Sequence, residues 1–195
     1  MRPGRQVQAY AAALLLLAGG TASAAPVDLK GLMAALSAVR ESRASFREEK
    51  ALASLTQPLV SEGTLVYVAP GHLEKRTLTP VREEIVVDGD SLTFAKPDEN
   101  LRRTIVLDRE PEMRSLVEAV RSTLAGDLTT LKQHYYVGLA GTMEAWRLTL
   151  SPVDQRVTRF LREVRIEGSQ AQLRTVETIE PDGDTSRMTI EPAAP

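Results

Sequence analysis

The sequence predicts an α+β protein in which about eleven antiparallel strands form one large, strongly curved sheet with two or three helices on one of its faces. Two observations predict this class. Short β-rich runs separated by turn residues fill two stretches of the chain, residues 42–107 and 135–190. Segments of helical periodicity precede and separate these stretches without forming a βαβ unit, so the strands are expected to be antiparallel neighbours.

The first 24 residues have the features of a cleaved secretory signal. Arg2 and Arg5 give a basic start, an apolar run covers residues 10–18, and Ala22-Ser23-Ala24 is a small-x-small cleavage site. A membrane-spanning helix needs about 20 apolar residues, and neither this run nor any later stretch reaches that length. We therefore expect export to the periplasm, no stable membrane anchor, and one mature domain of residues 25–195.

Composition excludes several classes of function. The expected mature chain has 171 residues with 22 basic and 26 acidic side chains, which argues against a nucleic-acid partner. The chain has no cysteine, so it can form neither a disulfide nor a thiolate metal site. It also lacks the cysteine that carries the lipid of a bacterial lipoprotein.

The first predicted elements are a helix at 28–39 and six strands. Asp28 is the expected N-cap of the helix. Its apolar positions recur at spacings of three and four, namely Leu29, Leu32, Met33, Leu36 and Val39. Asp88-Gly89-Asp90-Ser91 predicts a tight hairpin between two of the strands, because glycine tolerates a positive φ. The predicted strands cover residues 44–51, 63–68, 73–78, 83–88, 91–95 and 101–107.

A second helix is predicted at 111–125. Pro111 suits its first turn, and Gly126 supplies the stop. One face of this helix is an apolar stripe, which we expect to be buried: Met113, Leu116, Val117, Val120 and Leu124. A short helix at 127–133 follows. The second group of strands is predicted at residues 135–139, 144–150, 160–167, 172–179 and 186–190. Pro181-Asp182-Gly183-Asp184 predicts the last hairpin.

The strands are predicted to be apolar on one face only. Alternate side chains of a strand point to opposite faces, so residues two apart share a face. A sheet of about eleven twisted strands tends to curl, which gives it a concave surface. Two or three short helices cannot cover such a surface completely, so we expect a cavity or groove between helices and sheet. The apolar pairs and triplets that share a face are Leu65 with Tyr67, Ile85 with Val87, Leu92 with Phe94, Trp146 with Leu148 and Leu150, and Phe160 with Val164 and Ile166.

No pattern in the sequence predicts catalysis. His72 and Glu74 share a strand face, but a transition-metal site requires three or four ligands and no others can be assembled. The chain has no Gly-x-Ser-x-Gly elbow, phosphate-binding loop or dinucleotide fingerprint. Turn chemistry explains the aspartates of the hairpins, and solvent exposure explains the doublet Glu83-Glu84. We therefore predict a protein that is not an enzyme and that needs no cofactor or metal.

Three segments of the chain resemble the periplasmic lipoprotein carriers of the LolA family. They are Ala44-Ser45-Phe46-Arg47-Glu48 after an amphipathic helix, the strand Gly63-Thr64-Leu65-Val66-Tyr67-Val68-Ala69-Pro70, and the hairpin Asp88-Gly89-Asp90-Ser91-Leu92. The resemblance covers residues 28–110, and beyond them it rests on the order of elements. Two positions depart from the family pattern, which identifies the chain as a divergent member. Glu48 replaces a glutamine, and Ala69 replaces an arginine that is associated with gating the lid.

The resemblance implies an incomplete antiparallel β-barrel with helices over its concave face as a lid. Its lining would shelter the acyl chains of a lipoprotein or another lipid and carry them from an inner-membrane donor protein to an outer-membrane acceptor. The carrier would act as a monomer. The candidate lipid-binding residues are Phe46, Leu65, Tyr67, Leu73, Ile85, Val87, Phe94, Met113, Leu116, Trp146 and Leu148.

Two other functions remain open at this stage. One is an envelope lipid sensor of similar fold, a regulatory binding module that engages an inner-membrane partner. The other is a hydrolase that uses scattered acids such as Glu48, Glu83 and Asp88.

Overall fold

The computed structural model describes residues 25–193, in which three helices accompany a single eleven-stranded sheet. The predicted α+β class is confirmed, whereas the predicted signal segment lies outside the described residues. The helices are α1 (Leu29–Ser37), α2 (Pro111–Ala125) and α3 (Leu128–His134). The strands are β1 (Glu41–Ala51), β2 (Leu59–Val68), β3 (His72–Thr79), β4 (Glu83–Asp88), β5 (Ser91–Lys96), β6 (Leu101–Val106), β7 (Tyr135–Thr142), β8 (Ala145–Pro152), β9 (Glu163–Ser169), β10 (Gln172–Ile179) and β11 (Thr185–Pro192).

The sheet consists of two antiparallel meanders joined at the middle. The strand order is β6-β5-β4-β3-β2-β1-β11-β10-β9-β8-β7, so the first strand pairs with the last one. In this central pair Phe46 lies opposite Ile190 and Glu48 lies opposite Met188. Strands β6 and β7 form the two edges, and the sheet therefore remains open. This is the predicted incomplete barrel, with the three helices over its concave face.

The helix boundaries follow from local chemistry that the sequence displays. The Asp28 carboxylate accepts a hydrogen bond from the Gly31 backbone N–H at 2.8 Å, which confirms it as the N-cap of α1. Gly126 ends α2 with a φ of 65°. A Cβ at this position would lie 2.2 Å from the Met33 carbonyl oxygen. Glycine is therefore required both by the positive φ and by the close approach of α1 to the end of α2.

One strand begins later than the sequence predicts. The predicted strand 160–167 starts only at Glu163, because a 3-10 turn at Val157–Arg159 precedes it. Phe160 consequently lies outside the sheet and is 59% exposed. The expectation that Phe160 shares a strand face with Val164 and Ile166 is wrong.

Two apolar clusters fill the concave side of the sheet. Cluster A joins the three helices to strands β7 to β10, and cluster B joins α2 to strands β4 and β5. The buried members of cluster A are Leu32, Met33, Leu36, Ala119, Leu131, Tyr135, Trp146, Leu148, Leu150, Val157, Leu161, Val164, Ile166 and Leu173. Those of cluster B are Val87, Leu92, Leu107 and Val117.

Across residues 25–193, no helix combines the length and the apolar character needed to cross a membrane.

Candidate functional site

Helix α2 lies between the two clusters and buries its small and polar side. Ser115, Ala119 and Thr123 are at most 1% exposed, and α2 packs on α1 and α3. Small side chains allow helices to approach closely, which explains why this side faces the neighbouring helices. The apolar stripe of α2 is buried only in part: Val117 is 9% exposed, whereas Met113 is 36% and Leu116 is 39% exposed.

A cavity of about 300 Å³ lies beside this stripe and is called the β11 cavity here. Its floor is a row of residues on the neighbouring strands β1, β11 and β10. In this row Glu48 pairs with Met188, and Met188 pairs with Val176. Leu116 of α2 and Phe160 of the β8–β9 connection complete its apolar lining. The lining residues are Glu48, Lys50, Leu52, Glu112, Leu116, Val157, Phe160, Leu161, Val176, Thr178, Glu180, Thr185, Ser186 and Met188.

Glu48 is a buried charge in the floor of the β11 cavity, with 7% of its surface exposed. Its Oε2 accepts hydrogen bonds from Lys75 Nζ at 2.6 Å and from Ser61 Oγ at 3.3 Å. Its Oε1 accepts one from Ser186 Oγ at 2.7 Å. Burial alone would raise the pKa of Glu48, but the charge and hydrogen bond of Lys75 and the hydrogen bond of Ser186 outweigh it. The pKa of Glu48 therefore lies below its ordinary value, and the carboxylate is ionised at neutral pH.

Lys75 is held in place from two sides. Its ammonium group binds Glu48 and lies 4.9 Å from the centroid of the Phe46 ring. A cation over an aromatic ring is attracted by the ring quadrupole, and this arrangement therefore supports the ion pair within an otherwise apolar face.

Replacing Glu48 by glutamine is expected to destabilise the fold in a pH-dependent way. The folded-state pKa of Glu48 lies below its ordinary value, so its ionised form stabilises the fold at neutral pH, and this contribution is lost in acid as the pH falls through the folded-state pKa. A hydrogen bond to a charged group contributes about 1.5–3 kcal/mol, and the variant should lose about this amount at pH 7. Urea unfolding of both proteins from pH 7 to pH 3 would measure it. A difference in unfolding free energy that is the same at both pH values would contradict the assignment.

A second opening, the α2 cleft, is larger and polar, with a volume of about 750 Å³. It separates α2 and α3 from the β2–β3 and β4–β5 turns, and Ala69 lies on its rim. Arg121 of α2 binds both Glu118 and the Gly89 carbonyl oxygen of the β4–β5 turn. Burial alone would raise the pKa of Glu118, but the hydrogen bonds from Arg121 and Ser122 lower it by more. The pKa of Glu118 therefore lies below its ordinary value. Arg121 therefore ties α2 to the β4–β5 turn of the sheet.

Replacing Arg121 by alanine is expected to loosen this end of α2. The change removes the contact to the β4–β5 turn and the hydrogen-bonded arginine of Glu118, which is 3% exposed and keeps only the more distant Arg114 at 4.0 Å. We expect a loss of about 2 kcal/mol in unfolding free energy and faster amide hydrogen exchange in α2 and the turn. Arg109→Ala, on an exposed side chain, is the control. Unchanged exchange in α2 would show that Arg121 does not hold the helix.

The predicted lipid-binding residues fall into several groups. Trp146 and Leu148 are buried in cluster A, and Val87 is buried in cluster B. Phe46 on β1 and Tyr67 on β2 are also buried. Of the eleven, only Leu116 lines the β11 cavity. The remaining residues are half-buried or exposed: Leu73, Ile85 and Phe94 pack against cluster B, Leu65 lies on β2, and Met113 lies on α2. Their contact with lipid stays a prediction.

Sequence reasoning missed most of the β11 cavity. Val176 and Met188 could have been found, because both lie inside predicted strands and on the face that continues from Glu48 across the sheet. Leu52, Val157 and Leu161 carry no such signal, since they lie in connections or at strand ends.

The acids proposed for a hydrolase are not assembled into one site. Glu83 and Asp88 lie at opposite ends of the six-residue strand β4, which is roughly 17 Å long at about 3.4 Å per residue. Glu48 lies on β1, which is separated from β4 by two strands, β2 and β3. Glu83 and Lys96 form an ion pair at 3.4 Å. Glu48, Glu83 and Asp88 therefore provide no pair of carboxylates that could share one substrate.

The family described as outer membrane lipoprotein carrier protein LolA-like matches residues 21–195. The chain belongs to this family. No curated protein matches the chain.

Several solved structures are similar to the chain. A LolA superfamily protein from Nitrosomonas europaea has a TM-score of 0.42 at 10% identity, over 85% of this chain and 92% of that one. The MucA/MucB complex of Pseudomonas aeruginosa has a TM-score of 0.45 at 13% identity, over 87% of this chain and 59% of that one. A putative outer membrane lipoprotein-sorting protein domain from Vibrio parahaemolyticus has a TM-score of 0.44 at 10% identity, over 83% of this chain and 90% of that one.

Proposed function

We propose that this protein is a periplasmic carrier that shelters the acyl chains of a lipoprotein or another lipid and shuttles them towards the outer membrane. In this proposal residues 1–24 are removed on export, and residues 25–195 form the single carrier domain. An inner-membrane protein donates the lipid, and an outer-membrane protein accepts it. Membership of the LolA-like family supports the carrier role.

The observation that carries the proposal is the open apolar stripe of α2 over the concave sheet. A helix in an ordinary core buries its most apolar side. Helix α2 buries Val117 in cluster B and its small residues against the other helices, but it leaves Leu116 39% exposed beside the β11 cavity. Apolar side chains that border an unfilled cavity would gain burial from a hydrocarbon ligand. In this arrangement α2 borders the β11 cavity with Leu116 and does not fill it.

The energetics suit a carrier that must also release its ligand. Each buried CH₂ contributes about 0.8 kcal/mol, so even a partly sheltered acyl chain gains several kcal/mol over water. The β11 cavity is open at Phe160 and Leu116, both more than a third exposed. A chain held in such a pocket can leave without unfolding the core of cluster A.

Lipid transfer by the mature protein tests the proposal. Protein purified from the periplasm without detergent would be analysed for bound lipid by mass spectrometry and incubated with inner-membrane vesicles that carry radiolabelled lipoprotein. We expect co-purifying acylated material and labelled lipoprotein released in a soluble complex. Protein that emerges empty and releases no lipoprotein or lipid would refute the carrier function.

The same samples separate the carrier from the envelope sensor. Specific capture of one inner-membrane protein without any transfer of lipid would favour the sensor. Amino-terminal sequencing of the periplasmic protein checks the domain boundary, with Ala25 expected as the first residue.

A further inference from the structure

Exposed apolar side chains of the sheet collect at one of its two ends. In an antiparallel sheet every second connection lies at the same end. The β1–β2, β3–β4, β5–β6, β8–β9 and β10–β11 connections therefore share one end, called the cavity end here. Three of these connections, with the strand residues beside them, each carry two large apolar side chains that are at least 41% exposed: Leu55 and Leu59, Leu78 and Val81, and Val153 and Phe160. At the opposite end Val68 and Val106 are exposed.

The β11 cavity opens at the same end of the sheet. Leu52 of the β1–β2 connection, Phe160 of the β8–β9 connection and Glu180 of the β10–β11 hairpin line it. Two of the connections that expose apolar side chains therefore also border the cavity. An acyl chain that enters or leaves here passes along apolar side chains, and less of it is exposed to water on the way.

Exposed arginines stand next to apolar side chains at the cavity end. Val81 is followed by Arg82, and Phe160 is preceded by Arg159. Both arginines are exposed. An apolar side chain beside a guanidinium group suits the surface of a bilayer, because the apolar group enters the hydrocarbon boundary while the cation stays at the level of the lipid phosphates.

The spacing of the apolar side chains favours a bilayer over a protein partner. They stand on three separate connections, and β11 and β10 lie between the strands that carry the β1–β2 and β8–β9 connections. A protein interface requires a continuous surface of complementary shape. Fluid hydrocarbon adapts to side chains that enter it separately, so a bilayer can bury all three groups at once.

Acidic residues at the cavity end limit the contribution of charge. The β10–β11 hairpin carries Glu180, Asp182 and Asp184, whose carboxylate oxygens lie within 4.8 Å of one another. These charges oppose the attraction of the arginines to anionic lipid. Binding should therefore depend mainly on the apolar side chains, and it should persist at high salt, which screens exposed charges.

We propose that the cavity end docks on a phospholipid bilayer, with the apolar side chains of its three connections in the hydrocarbon boundary and the mouth of the β11 cavity facing the lipid. The contact is reversible, because a few partly exposed side chains bury much less apolar surface than a membrane-spanning helix. The inference rests on the proposed carrier function and specifies the surface through which its ligand is exchanged.

Flotation of the mature protein with vesicles of phosphatidylethanolamine and phosphatidylglycerol tests the inference. Leu55→Ser/Val153→Ser removes two exposed side chains at the cavity end, and we expect the partition coefficient to fall about tenfold. Neither residue lines the β11 cavity, so the Kd for a fluorescent fatty acid should stay unchanged. The matched control is Val68→Ser/Val106→Ser at the opposite end, which should bind vesicles like the original protein.

Tryptophan fluorescence provides a second measurement that keeps an apolar side chain in place. Leu55→Trp and its control Val68→Trp each add an exposed indole to a chain whose single tryptophan, Trp146, is buried. Vesicles that contain brominated phospholipid should quench the added indole in Leu55→Trp and leave that of Val68→Trp unquenched.

The outcomes separate docking from the carrier function. Equal vesicle binding by the two double variants, equal quenching of the two tryptophan variants, or binding that high salt abolishes overturns the docking surface. Protein that ignores vesicles but still releases labelled lipoprotein also overturns it and leaves the carrier in place. A dimer in sedimentation that Leu55→Ser/Val153→Ser dissociates, without vesicle binding, assigns the cavity end to self-association instead. Docking through the cavity end without any transfer of lipid supports the surface and refutes the carrier.

Discussion

Replacing Trp146 by alanine is expected to lower the free energy of unfolding by about 3–5 kcal/mol, the range for removal of a buried aromatic side chain. Trp146 is 2% exposed within cluster A, and its Nε1–H donates to the Gln170 carbonyl oxygen at 2.8 Å. Its ring packs directly on Gly168, where a Cβ would lie 2.1 Å from the indole. The substitution thus removes packing and a hydrogen bond from a site that neighbouring side chains cannot refill.

Urea unfolding followed by circular dichroism would measure the effect, because the variant has no tryptophan left for fluorescence. Tyr136→Ala is the matched control: Tyr136 is 69% exposed on the edge strand β7, and its loss should change stability by about 0.5 kcal/mol or less. A cost below about 1 kcal/mol for Trp146→Ala would show that cluster A is not the main core.

Replacing Met188 by tryptophan is expected to abolish most acyl binding while the fold is retained. Met188 lies between Glu48 and Val176 in the sheet register and lines the β11 cavity, so a larger ring at this position occupies the space of the ligand. An acyl chain that loses burial of about three CH₂ groups loses about 2.4 kcal/mol, which is roughly fiftyfold in Kd. Displacement of a fluorescent fatty acid would measure the change.

Thr189→Trp provides the control for this experiment. Thr189 is the next residue of β11, is exposed on the opposite face of the sheet and does not line the cavity. The same aromatic ring there should leave acyl affinity unchanged. If both variants bind acyl chains like the original protein, the ligand does not occupy the β11 cavity.

Local chemistry explains why much of the fold could be predicted from the sequence. The cap at Asp28, the stop at Gly126 and the hairpin at Gly89 depend on residues adjacent in the chain, and each lies where it was expected. Alternation within strands also held, since Trp146, Leu148 and Leu150 are all buried on one face. The pairing of β1 with β11 joins residues that are more than 130 positions apart, and no local pattern specifies it.

The candidate site was harder to predict because it depends on how elements meet. Periodicity identified the apolar stripe of α2, but the choice of the small side for helix packing depends on α1 and α3. The sequence places Glu48 in the first strand but does not indicate its burial. That burial becomes possible only because Lys75, Ser61 and Ser186 arrive from three other strands. Phe160 reaches the cavity because a 3-10 turn displaces it from the strand.

Photocrosslinking with a diazirine-bearing dodecanoyl chain tests the central claim most directly. The mature protein would be irradiated with the probe, digested and mapped by mass spectrometry, with and without an excess of unlabelled lipid. We predict adducts on Leu116, Val176 and Met188 that the excess lipid removes. Adducts confined to the outer face of the sheet, or adducts that unlabelled lipid does not displace, would contradict the account.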